Sequence, residues 1–313
     1  MGKLRVWSST AHPRPSEFQH YGKDVWTPEA ATEKQGVKVL GTPLGHPAFV
    51  EALAKQRLED EERFLAKIEQ IPDLQCAWLL LTYCAVPRAN HMIRTLTPDA
   101  ADDYARQHDA ALWATFCKLT NAESWQEDRL ARQIASLPAR CGGLGLRSSY
   151  RLRAAAFWAA WIDGASVLAA KAPRVHALFM EEVGRDSPRA SCIQALQTAT
   201  QKLQATGCTD MPTWQEASEG IQAPYADDVD AGEWHRGWQY PASSFLEHNF
   251  LETAVLPSSC FSPCFAVVKA APSVAICHPT RAMHDVPAKP NAHCFPQTPP
   301  MAAAIGPEEL HGP

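Results

Sequence analysis

The sequence predicts a mainly α-helical chain with a short β segment near its N-terminus and a disordered, proline-rich tail. Apolar residues recur at helical spacing in several long stretches between residues 47 and 205. A β-branched segment, Val37–Leu40, is followed by the glycine- and proline-rich sequence GTPLGHP, which is typical of a turn. From Pro257 to Pro313 prolines recur throughout and the helical period vanishes, so we expect disorder there.

The N-terminal segment, residues 1–47, is predicted as strand and loop, with Leu4–Trp7 as a second short strand. Pro47 suits the first turn of a helix. We expect that helix to reach Ile71, because its apolar residues keep a helical period. The charged stretch EDEER, Glu59–Arg63, is expected on the solvated face of this helix.

Four further helices are predicted from their end signals. One begins at Asp73, a capping residue, and ends or kinks at Pro87. The next begins at Thr97, because the aspartates in its first turn would face the positive end of the helix dipole. On its apolar face, His108 is expected to be a satisfied core histidine rather than an acid–base group. The last two predicted helices span Pro188–Ala205 and Thr213–Ser218, the latter with the capping-box sequence TWQE.

An alanine-rich helix is predicted over Tyr150–Ala172. Its small residues would let another helix approach closely. We expect its tryptophans, Trp158 and Trp161, to be buried. We expect Arg151 and Arg153 to be exposed at its start.

Composition narrows the class of protein. The net charge of −5 and the pI near 6.2 argue against a uniformly basic nucleic-acid binder, but they leave local basic faces open. No apolar run reaches the roughly 18 residues of a membrane span, and no signal peptide is recognisable. Several of the ten cysteines lie in apolar helical runs, which is typical of reduced thiols. We therefore expect an intracellular protein, in the nucleus or the cytoplasm, with no membrane partner.

The tetrapeptide YADD, Tyr225–Asp228, resembles the paired aspartates that hold metal ions in polymerases. Such aspartates bind magnesium only when a β-hairpin holds them beside a third carboxylate. The flanking sequences EGIQAP and VDAGEW are not strands of useful length, and Pro224 directly precedes the tyrosine. The pattern favours an acidic surface loop, and we expect no catalytic residue, no metal site and no cofactor.

Two stretches are candidates for phosphate contact. In CGGLGLRSSYRLR, Cys141–Arg153, glycines ahead of a helix can direct backbone N–H groups toward a phosphate, and the arginines add charge. Arg88 and Arg94 can share one helical face with His91. The alternative for both stretches is a set of solvated surface side chains.

Other motifs are less specific. The aromatic residues of GEWHRGWQY, Gly232–Tyr240, would either stack on bases or anchor the segment to the helical core, and we favour the core. The segment GVKVLGTPLG lacks the Lys-Ser/Thr pair of a phosphate-binding loop. The cysteines and histidines of the tail lack the paired spacing of a zinc site.

Seven segments, taken in order, resemble the region after the catalytic palm in reverse transcriptases of non-LTR retroelements. The resemblance covers about residues 2–256 and rests on the order of the series. It implies that Val37–Leu44 is the hairpin that supports the primer end. The aspartate box of that family lies upstream of this hairpin, so the resemblance implies that Asp227 and Asp228 are not catalytic. The segments are GKLRVW, GVKVLGTPLGHPAFV, LLLTYCAVPRANHMIRTL, HDAALW, LPARCGGLGLRSS, AAAFWAAWIDG and GEWHRGWQYPASS.

The resemblance implies four segments: a palm-end remnant with the hairpin (1–47), a helical thumb-like region (48–135), a helical connection-like region (136–256) and the disordered tail (257–313). It implies a fragment without polymerase activity whose partner is primer–template nucleic acid. The alternative is a helical protein-interaction module derived from the same scaffold. A third interpretation is a zinc-binding nucleic-acid protein that uses the tail. The residues predicted to contact nucleic acid are Lys38, Arg88, Arg94, Arg147, Arg151 and Arg153.

Overall fold

The computed structural model describes residues 4–8, 13–22, 25–224 and 237–255. Within them the chain is mainly helical with one two-stranded sheet, which confirms the predicted fold class. The predicted disordered tail, the YADD tetrapeptide and the first part of GEWHRGWQY lie outside the described residues. No helix in the described ranges is long and apolar enough to cross a membrane.

The strands are β1 (Gly36–Val39) and β2 (Thr42–Gly45). The α-helices of the described residues are α1 (Pro47–Ile68), α2 (Leu74–Leu80), α3 (Asn90–Thr95), α4 (Asp102–Leu119), α5 (Arg129–Ala135), α6 (Ser149–Lys171), α7 (Pro173–Val183), α8 (Ser191–Ala205), α9 (Trp214–Glu219) and α10 (Gln239–Phe250). π-Helical turns follow α2 (Leu81–Ala85) and α10 (Leu251–Val255).

β1 and β2 form an antiparallel hairpin with Val39 opposite Thr42. The two turn residues, Leu40 and Gly41, have φ values of +48° and +92°, as a two-residue type I′ turn requires. Leucine is rare in this conformation, and the Leu40 side chain is 94% exposed at the tip. Leu4–Trp7, predicted as a strand, contributes only a single parallel bridge, from Val6, within the described residues.

The predicted helix starts are confirmed where a local cap defines them. α1 begins at Pro47. α2 follows Asp73, whose carboxylate accepts a hydrogen bond from the Cys76 amide at 2.7 Å. The predicted break at Pro87 is instead a change of helical type. A π turn and a 3₁₀ turn (Val86–Ala89) carry the chain into α3, because proline removes one amide donor without forcing the chain to leave the helical path.

Several helix boundaries differ from the predictions, and α8 begins at Ser191 rather than at Pro188. α4 begins at Asp102 rather than Thr97. The residues between them form turns, and the Pro98 carbonyl accepts a hydrogen bond from the Arg153 side chain at 3.1 Å. α1 ends at Ile68 rather than Ile71.

α6 is the central helix and packs against α3, α4 and α7–α10. Trp158 is 2% exposed and meets Trp238 edge to face at 6.1 Å between ring centroids. This confirms the predicted burial of Trp158 and places Trp238 in the core. Trp161 is only partly buried and stacks on Phe179. The core around α6 contains Leu152, Phe157, Trp158, Ile162, Phe179, Ile193, Leu196, Leu203 and Trp238.

The helices α1–α4 enclose apolar clusters of their own, among them Leu65, Ile68, Leu81, Leu112, Phe116, Met92 and Ile93. One member of EDEER was placed wrongly by the sequence pattern: Glu61, expected on the solvated face, is 3% exposed. It accepts a hydrogen bond from the Tyr104 hydroxyl at 2.6 Å and lies 2.7 Å from His108 Nδ1. These partners, 43 and 47 residues away along the chain, compensate for the burial of the carboxylate.

Candidate nucleic-acid interface

The six cationic residues predicted to contact nucleic acid do not form one surface. Two of them line a groove at the hairpin, two line a cavity beside α6, and two form ion pairs with carboxylates of α6 and α10. These pairs of residues are Lys38 with Arg88, Arg151 with Arg153, and Arg94 with Arg147.

The first of these places is a groove of about 260 Å³ between the hairpin, α1 and the turn that precedes α3. We call it the hairpin groove. β1 contributes Lys38, α1 contributes Arg57 and Asp60, and the turn contributes Arg88. Thus two predicted residues, 50 positions apart in the sequence, face one space.

The charge of the hairpin groove is positive. Within the described residues, neither Lys38 nor Arg88 forms an ion pair, whereas Asp60, the one carboxylate of the lining, pairs with Arg63. Arg57 lies 3.5 Å from Glu61 and donates a hydrogen bond to the Arg88 carbonyl at 3.0 Å. Two uncompensated cations are therefore available to an anion in this groove.

His91 lies under the hairpin turn. Its Nε2 atom is 3.3 Å from Thr42 Oγ1. Burial, and then the charges of Arg57 and Lys38, hold the pKa of His91 below its ordinary value. The lowered pKa favours the uncharged imidazole at neutral pH. Part of the lowering comes from the positive charges of Arg57 and Lys38 in the groove.

The positive surface continues along α1. A shallower depression shares Asp60 and Arg88 with the hairpin groove and adds Arg63 and Lys67. The Arg88 guanidinium lies 5.1 Å from the centroid of the Phe64 ring, an arrangement that orients the guanidinium without neutralising it.

Arg94 and Arg147 are occupied by partners within the fold. Arg94 donates to Asp163 at 3.0 Å and also to Gln239, and so ties α3 to α6 and α10. Arg147 donates to the buried Glu247 at 2.7 Å. Their predicted contact with nucleic acid stays a prediction, but each would have to give up an ion pair to make it.

The N-terminus of α6 is filled by a carboxylate of the protein itself. Asp109 accepts hydrogen bonds from the Ser148 hydroxyl at 2.6 Å, the Ser149 amide at 2.8 Å and the Tyr150 amide at 3.2 Å. Burial raises the pKa of Asp109, against these three hydrogen bonds, which lower it. The Ser149 and Tyr150 amides, which follow the glycine-rich sequence, therefore already donate to Asp109 rather than to a phosphate.

Arg151 and Arg153 are not exposed, which corrects the expectation for the start of α6. Arg153 is 8% exposed and donates to Asp102 and to the Pro98 carbonyl. The Arg151 guanidinium lies 3.8 Å from the centroid of the Phe250 ring. Both arginines therefore have partners on neighbouring helices, Asp102 on α4 for Arg153 and Phe250 on α10 for Arg151.

Sequence reasoning did not find Arg57, Asp109 or the buried pair of Glu61 and His108. No local signal marks them, because each gains its role from a partner on another element.

Within the described residues, no group of three His, Cys, Asp or Glu side chains is placed to hold a metal ion. Comparisons with protein-family models, with curated proteins and with solved structures found no match to this chain.

Proposed function

We propose that this chain binds nucleic acid through the hairpin groove and has no polymerase activity of its own. In this proposal it corresponds to the primer-grip, thumb and connection region of an RNA-directed DNA polymerase of the non-LTR retroelement type. The observation that carries the proposal is the convergence of Lys38, Arg57 and Arg88 beside the β1–β2 hairpin. The sequence resemblance equates that hairpin with the support of the primer end.

The chemistry of the groove suits a phosphate backbone. Each cation that neutralises a phosphate releases counterions, so binding weakens as salt rises. Lys38 and Arg88 have no ion pair within the described residues and can meet phosphates without breaking one. The exposed Leu40 at the tip of the hairpin offers an apolar contact beyond the backbone.

Fluorescence anisotropy of a labelled primer–template, at several salt concentrations, tests the groove. We expect the Lys38→Ala/Arg88→Ala variant to bind more weakly, and the slope of log K against log salt to fall by roughly 2, about one for each lost phosphate contact. Lys171→Ala/Arg174→Ala is the matched control. It removes two exposed cations that line neither the hairpin groove nor the cavity beside α6. Equal binding by both variants, or no binding by the parent chain, would contradict the proposal.

We expect no primer extension by the purified chain with magnesium or manganese. The resemblance begins after the palm that carries the catalytic carboxylates in that family. Template-dependent incorporation that disappears in the Asp227→Ala/Asp228→Ala variant would show that the YADD tetrapeptide is catalytic.

The second candidate function is a helical protein-interaction module. The observation that favours it is the outer face of α7, where Val175 and Leu178 are 54% and 62% exposed at i, i+3 spacing. If the parent chain does not bind the primer–template, this face becomes the leading candidate for a partner contact.

A further inference from the structure

A second basic cavity, of about 590 Å³, lies among α4, α5, α6, α8 and α10. We call it the α6 cavity. Among the described residues that line it, Asp109, which caps α6, is the one carboxylate. The cationic residues of the lining are Arg106, Arg129, Arg132, Arg151, Arg153 and Lys202.

These cations fall into two groups. Arg106 and Arg153 share Asp102, and so their charges are partly compensated. Arg129, Arg132 and Lys202 form no ion pair within the described residues. They lie on two different helices, α5 and α8, so uncompensated positive charge faces the cavity from more than one side.

Arg151 adds a partly buried charge to this cavity. Its Nη2 atom donates to Ser136, but its Nη1 atom is buried and has no hydrogen-bond partner in the part of the chain that the structure describes. Burial lowers the pKa of this arginine, since the charged form has lost its water. The charges of Glu247 and Asp109 offset part of this effect, and an anion in the cavity would stabilise the guanidinium further.

The floor of the cavity is apolar. Buried side chains of Trp113, Leu146, Ala154, Leu203 and Leu246 form it. The rings of Tyr150 and Phe250 are covered by Arg106 and Arg151, each guanidinium lying 3.8 Å from a ring centroid. A ligand in the cavity would therefore contact both aliphatic and indole side chains and cationic groups.

We propose that the α6 cavity binds a small anion with several phosphate groups and an apolar or aromatic body, of which a nucleoside triphosphate is an example. The cavity volume falls in the range of roughly 300–1,000 Å³ that is usual for small-ligand sites. Arginine forks match phosphate oxygens, and separate cations on α5 and α8 suit a ligand with more than one charge. The proposal does not depend on nucleic-acid binding in the hairpin groove.

Titration calorimetry of the full chain with ATP, without divalent cations, tests the site. We expect saturable binding that weakens about tenfold or more in Arg129→Ala/Arg132→Ala, because charge-assisted hydrogen bonds are lost. Lys202→Ala should also weaken it. Lys171→Ala/Arg174→Ala and Lys38→Ala/Arg88→Ala should bind ATP as the parent does. Thermal melting of each variant without ligand confirms that the fold is intact.

Inorganic triphosphate is the second probe and should bind more weakly than ATP, because it cannot use the apolar floor. Equal affinity would overturn the apolar body of the proposed ligand. No ATP binding at millimolar concentration, or unchanged binding in Arg129→Ala/Arg132→Ala, would overturn the site. If the primer–template displaced ATP from the Lys38→Ala/Arg88→Ala variant, the small-ligand assignment would be wrong and the cavity would belong to the nucleic-acid surface.

Discussion

The interior between α1 and α4 and the interior around α6 are stabilised in different ways. The first contains a buried carboxylate, Glu61, with Tyr104 and His108 as partners. The second contains stacked and edge-on aromatic rings around Trp158, and its buried carboxylate, Glu247, lies where half-exposed arginines reach it. Apolar burial depends little on pH, whereas a buried ionised group makes stability depend on pH. Stability should therefore depend on pH through the Glu61 site, whereas the contribution of the rings around Trp158 should depend little on pH.

The charge state of Glu61 follows from its neighbours. Burial opposes ionisation, but the hydrogen bond and charge of His108, the Tyr104 hydroxyl and Arg57 more than offset it, so the pKa of Glu61 lies below its ordinary value. Burial, together with the charge and the hydrogen bond of Glu61, raises the pKa of Tyr104. His108 Nε2 is buried and has no hydrogen-bond partner among the described residues, so the predicted core histidine is only half satisfied there.

The largest effect is expected at Trp158. Trp158→Ala should destabilise the chain by about 3–5 kcal/mol, because it removes a fully buried ring and leaves a cavity. The loss, measured by urea denaturation, should be the same at pH 5 and pH 7. Trp161→Ala should cost less, since that ring is only partly buried. Equal losses at the two positions would show that the core does not centre on Trp158.

Glu61→Gln should have the next largest effect and lower the free energy of unfolding by about 1–3 kcal/mol at neutral pH. The reason is that a buried carboxylate oxygen, which accepts a hydrogen bond, is replaced by an amide NH2 group, which donates one. A lowered carboxyl pKa contributes stability above the ordinary value of 4.5, and this contribution is lost as pH falls through the lower pKa of the folded state. The parent chain should lose this contribution in acid, and the variant should not.

Glu69→Gln is the control for this measurement, because Glu69 pairs with Lys118 near the surface. It should change stability by at most about 1 kcal/mol. If Glu61→Gln left both the stability and its pH dependence unchanged, the two interiors would not differ in the way described.

The smallest effect on stability is expected at Arg153, which joins α6 to α4 through Asp102. Arg153→Ala should cost about 1–2 kcal/mol, since it removes hydrogen bonds to Asp102 and Pro98 while Arg106 still pairs with Asp102. Lys202→Ala, an exposed cation of the same cavity, should change the melting temperature little. Identical melting of the two variants would mean that Arg153 acts as a surface charge, as the sequence suggested.

The candidate site could be predicted only in part. Lys38 and Arg88 were predicted from the sequence, and both line the hairpin groove. Arg57 lines the same groove, but no motif in its own helix marks it as a binding residue. Arg94 was placed on a face with Arg88, and instead it reaches Asp163, 69 residues away. Residue type and spacing therefore indicated where charge is concentrated but not which charges are compensated.

The sequence by itself determined the features that depend on neighbours within one turn. Pro47 and Asp73 mark helix starts, the capping box at Thr213 forms as predicted, and the alanine-rich helix is buried along with Trp158. These outcomes follow from local hydrogen bonding and from the helical period, which a linear pattern contains.

Only the tertiary structure decided the burial of Glu61 and Arg153 and the capping of α6 by Asp109. Their partners lie about 40 to 51 residues away in the sequence. A charged side chain is solvated unless packing brings a partner to it, and packing is a property of the whole fold. The same physical reason explains why helical content was predictable from the sequence and the positions of the ion pairs were not.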